Sequence, residues 1–157
     1  MKNITLVLVV LSASVTAATA GPTADKKVRD AVNQSLAEGA AEAKDCGKTL
    51  KFSFDWAAFD KLDWSKASRP KEDQAGFEIS NVRWVGKGIN YLCEDKDYKE
   101  SLQKIDNVVY RTTPDSEGAS GPRVTAKVQG KTLTFDSRMG GSTRDPDSFT
   151  EAAKQVF

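Results

Sequence analysis

The sequence predicts an α+β domain: an antiparallel sheet of about five or six strands, an N-terminal helix on one face, and a short C-terminal helix docked on or near it. Three observations lead there. Thr23 to Asp45 carries apolar residues at helical spacing, Cys46 to Trp56 alternates with a period of two, and two alternating runs flank Gln129-Gly130.

Residues 1–20 read as a signal peptide and residues 21–157 as one domain. Lys2 opens the segment, an apolar run from Ile4 to Val10 follows, and Ala18-Thr19-Ala20 supplies the small-x-small pattern of a cleavage site before Gly21. The run is too short and too interrupted by Ser and Thr to span a bilayer stably. The domain is therefore expected in the periplasm or secreted, with no stable membrane insertion after cleavage. Removing residues 1–20 takes away one lysine and no acid, leaving 22 basic and 22 acidic side chains. A chain with no net charge gives no general electrostatic reason to bind nucleic acid.

The N-terminal helix is expected from the stripe Val28, Ala31, Val32, Leu36, Ala40 and Ala43. Gly39 weakens it, and Gly47 suits its C-terminal cap. Leu50, Phe52, Phe54 and Trp56 then share one face of a half-buried strand, with Lys51, Ser53 and Asp55 on the other. Asp55 is placed to cap a short helical turn with Phe59 and Leu62 inward. Ser65 to Gly76, charged and proline-bearing, reads as a mobile surface loop. Phe77 to Cys93 reads as two strands, with a bulge near Asn81 and a turn at Gly86-Lys87-Gly88.

Asp95 to Ile105 is expected as a short helix, and Val108 to Tyr110 as the start of a strand. Thr113 to Pro122 reads as a second loop. Val124, Ala126 and Val128, then Leu133 and Phe135, form a hairpin about Gln129-Gly130. The last helix starts at Asp145-Pro146 or at the capping box that opens on Ser148, and buries Phe149, Ala152, Ala153 and Val156. The glycine-led run Gly47-Lys48-Thr49-Leu50 is echoed at Gly130-Lys131-Thr132-Leu133, which reads as two strands that begin alike.

The chain has no histidine, which removes Ser-His-Asp and Cys-His chemistry and the commonest zinc ligand. No metal or cofactor motif is present, and none is expected to bind. Cys46 and Cys93 lack the Cys-x-x-Cys spacing of a redox pair and are expected to form a disulfide. Two surfaces are candidates for ligands. Trp56, Asp60, Asp63 and Trp64 combine rings and carboxylates as sugar sites do. Arg138, Gly140, Gly141 and Arg144 form a glycine and arginine loop that could receive an anion. The expected function is an exported, non-enzymatic domain that binds another protein, as an inhibitor or assembly factor. Two alternatives stand beside it: a carrier with an apolar ligand between helix and sheet, and a histidine-free hydrolase using aspartates.

Overall fold

A computed structural model describes residues 22–67, 69–114, 122–140 and 144–157. The signal segment 1–20 lies outside these residues, as does most of the second expected loop, 115–121. Helix α1 (Pro22–Glu42) leads through a 3-10 turn (Lys44–Cys46) to strand β1 (Lys51–Phe54). Helix α2 (Trp56–Asp60) and a second 3-10 turn (Trp64–Lys66) follow, then the long helix α3 (Lys71–Glu94) and the short α4 (Lys96–Leu102). Strands β2 (Asn107–Thr113), β3 (Val124–Gln129) and β4 (Thr132–Arg138) precede helix α5 (Pro146–Lys154).

Helix and strand are mixed as expected, but the sheet is not the expected one. It has four strands in the order β1-β2-β4-β3, and only β3 and β4 pair antiparallel. The correction traces to one segment. Phe77 to Cys93 is not two strands but the main part of α3. Its buried residues Gln74, Glu78, Asn81, Val82, Val85, Ile89 and Leu92 recur at spacings of three and four. Three of them are polar, so the apolar pattern breaks just where the helix faces the core. With a helix between β1 and β2, the chain crosses over and returns in the same direction, so the two strands pair parallel.

Gly86 and Gly88, read as turn residues, are packing residues. A Cβ on Gly86 would lie 1.6 Å from the Gly39 carbonyl oxygen of α1, and one on Gly88 would lie 2.7 Å from that of Pro146 at the head of α5. The glycines let α1 and α5 close on opposite sides of α3 by backbone contact. The expected loop Ser65 to Gly76 is likewise corrected in its second half. Lys71 to Gly76 is the first part of α3, with Pro70 as N-cap and Glu72 and Asp73 complementing the helix dipole.

Both β2 and β4 alternate between buried and half-buried residues. Register sets Val108 beside Leu133, Tyr110 beside Phe135 and Thr112 beside Ser137, and all six face α3 and α5. The opposite face is polar, where Arg111 makes a two-point bond to Asp136 at 2.6 and 2.8 Å. Helix α1 packs on α3 and against β1, and α3 reaches β2 through the Tyr110–Glu78 bond. The hairpin and the Asp55 cap stand where the sequence puts them, and the short helix expected from Asp95 is α4, with Asp95 as its N-cap. The last helix takes the earlier start, with Asp145 as N-cap and Pro146 in its first turn. The echoed glycines both have positive φ, 73° at Gly47 and 57° at Gly130. The lysines after them, Lys48 and Lys131, grip the two oxygens of Asp106 at 2.9 and 3.2 Å.

Candidate functional site

Of the residues singled out by sequence, Cys46 and Cys93 form a disulfide, with both side chains buried. It ties the turn after α1 to the end of α3. Trp56, Asp60, Asp63 and Trp64 lie at one corner, already engaged with the protein. The Trp56 ring lies 4.2 Å from that of Phe54, with the Arg29 guanidinium 4.6 Å from its centroid. The Trp64 ring lies 4.7 Å from that of Phe59. Asp60 accepts from Arg29 at 2.8 Å and pairs with Lys71 at 2.7 Å; Arg29 foremost holds its carboxyl below the ordinary range. Asp63 accepts from the Ser65 hydroxyl at 2.5 Å and pairs with Lys66 at 3.0 Å. Among the described residues, no group of three or more acidic or cysteine side chains stands together as a metal cage.

The arginine loop is more informative. Gly141 lies outside the described residues. Arg138 ends β4, and Gly140 turns the chain at φ 80°. Arg144 is buried, with 5% of its surface exposed. Its guanidinium donates to the Ser137 hydroxyl at 3.3 Å, to the Gly140 carbonyl at 3.5 Å and to the Arg138 carbonyl. Burial disfavours its charge most strongly, pushing its pKa below that of an ordinary arginine.

Beneath it lies a buried polar network that the sequence reading missed. Glu78, 1% exposed, accepts from Gln74 at 2.6 Å, from Asn81 at 3.0 Å and from the Tyr110 hydroxyl. Burial first, and then the Glu78 charge, raise the Tyr110 pKa well above its usual value. The Asn81 side-chain oxygen accepts the Arg144 backbone N–H at 2.9 Å. One helix of the sheet's cover thus reaches the turn before α5. The sequence signal was present: Gln74, Glu78 and Asn81 stand at i, i+4 and i+7. Their spacing marks one helical face even though none is apolar. The network is sealed from solvent. Its chemistry is to hold charges and position the turn, and the carboxylate is not presented to a substrate.

That turn sets one wall of a groove of about 300 Å³ between β3 and α5. Pro122, Arg123 and Val124 form the strand wall, and Ser148, Glu151, Ala152 and Gln155 form the helix wall. Helix α5 is fixed by its Asp145 cap, which accepts from the Ser148 N–H at 2.8 Å, and by Thr150, whose hydroxyl donates to the Gly88 carbonyl at 3.0 Å. Phe149 fills the space beneath, edge-on to Phe135. Val82, Val85, Ile89, Tyr110, Leu133 and Phe135 are all fully buried and occupy the region between α3 and the sheet.

β3 is an edge of the sheet. The Arg138 N–H donates to the Arg123 carbonyl at 2.9 Å and extends the β3–β4 ladder by one pair. Antiparallel pairing alternates, so Val124, Ala126 and Val128 direct their backbone N–H and C=O groups away from β4. Helix α1 packs against the other edge strand, β1, as α5 does against β3. No family model, curated protein or solved structure matches the chain.

Proposed function

We propose that this is an exported, non-catalytic binding domain that takes an extended segment of a partner protein along the edge of β3, in the groove walled by α5. The single observation that carries the reading is the juxtaposition of an edge strand, with outward backbone groups, and a groove bounded by a helix. An extended segment added there gains main-chain hydrogen bonds from the strand and side-chain pockets from the groove. β3 is poorly protected against such pairing: it contains no proline, and Lys127 is its one charged residue. Val128, 39% exposed, is the large apolar residue most open to solvent among those described. A buried disulfide suits work outside the cytoplasm, and among the described residues no helix is long and apolar enough to cross a membrane. Such a module would serve as an inhibitor or assembly factor by occupying a partner's strand.

Selection from a randomised octapeptide library tests the reading. Wild-type protein is expected to enrich extended, alternating sequences. Ala126→Pro removes one outward N–H without touching the ladder to β4. Gln155→Trp, at an exposed position, fills the groove from the helix side. Both variants are expected to keep a native circular dichroism spectrum and to lose at least tenfold in affinity for the selected peptides. Peptides that bind both variants as tightly as wild type would place the binding surface elsewhere.

A further inference from the structure

We infer that the bound segment carries a carboxylate, seated against Arg123 at the end of the groove nearest the turn between β4 and α5. The inference rests on the groove reading above and adds the chemistry of the ligand. Arg123 is exposed and lines the groove, and no carboxylate pairs with it among the described residues. The acids of the groove are already engaged. Asp145 caps α5 through the Ser148 N–H and hydroxyl, at 2.8 and 2.7 Å, and Glu151 pairs with Lys154 at 2.8 Å.

The buried Arg144 lines the same groove as Arg123. Two guanidiniums therefore stand at this end of the groove, Arg123 exposed and Arg144 buried. An incoming carboxylate pairs with the exposed Arg123 guanidinium. A lysine or arginine at the same place meets the like charge of Arg123. The preference is electrostatic at an exposed site, so it weakens as salt rises.

Parallel selections of the octapeptide library on wild type and on Arg123→Glu test it. Wild type is expected to enrich Asp or Glu at one fixed position, and Arg123→Glu to enrich Lys or Arg there. A selected peptide with that acid replaced by its amide is expected to bind wild type about tenfold more weakly. Wild-type binders with no acidic preference, selected equally by Arg123→Glu, would overturn the carboxylate and leave the groove standing. No enrichment on wild type would overturn the groove and the carboxylate together.

Discussion

The two halves of α3 are anchored by opposite means. Toward its C-terminus, Cys93 is bonded to Cys46, and Asn90 and Asp45 exchange hydrogen bonds at 3.0 and 2.9 Å beside the bridge. Toward its N-terminus no covalent bond exists. Glu78 gathers three donors from three positions, and Asn81 passes the connection to Arg144. The covalent end fixes α1 to the rest of the fold. The polar end fixes the turn before α5, and with it one wall of the groove. Stability depends on both ends, whereas the proposed binding at the groove depends on the polar one.

Breaking the polar end is expected to have the largest effect. Glu78→Ala strands the donors of Gln74, Asn81 and Tyr110 in a dry interior and uncovers the buried Arg144 charge. A loss of about 5 kcal/mol follows, measured by denaturant unfolding, with loss of groove binding in whatever fraction stays folded. Tyr110→Phe, which removes one partner, is expected to cost about 1 kcal/mol and to leave the fold intact.

The covalent end gives the sharper contrast. Cys93→Ser opens a link with a sequence separation of 47. The loop-entropy cost is about 4 kcal/mol, against a total of roughly 5–15 kcal/mol for a domain. Peptide affinity at the groove is nevertheless expected to be unchanged at temperatures where the variant is folded. A loss of affinity equal to that of Glu78→Ala would erase the distinction between the two ends.

Gly86→Ala tests the third contact of α3, its crossing with α1. A methyl group 1.6 Å from the Gly39 carbonyl forces the helices apart, at about 3 kcal/mol by thermal or denaturant unfolding. The smallest effect is at the cap of α5. The Ser148 hydroxyl and N–H hold the Asp145 carboxyl below its ordinary range. A folded-state pKa below the unfolded one stabilises the fold at neutral pH, and that contribution is lost as pH falls through the folded-state value. Asp145→Ala is expected to cost about 1 kcal/mol at neutral pH and to flatten the acid limb of the stability profile.

Much of this was legible in the chain. Cysteine count and spacing pointed to the disulfide, Gln129-Gly130 located the hairpin, and Asp55 and Asp145 marked two helix starts. The sheet's direction was not legible, because it depended on α3. Polar residues on the buried face of α3, and glycines used for close packing, imitate the breaks between strands. Arg144 was singled out as an anion ligand, but burial turns its guanidinium onto the carbonyls of Arg138 and Gly140. The alternation of Val124, Ala126 and Val128 was visible, whereas their place at a sheet edge was not. Strand order is a property of tertiary pairing, and a period of two is the same in a central strand and an edge strand.

The central claim is that β3 offers its outward backbone to a partner strand. Amide hydrogen exchange at Val124, Ala126 and Val128, with and without a selected peptide, tests it most directly. These three N–H groups are expected to exchange rapidly in the free domain and to become protected when the peptide is bound, while Thr125 and Lys127, paired to β4, are protected throughout. Binding that leaves all three amides exchanging at their free rates would contradict the account.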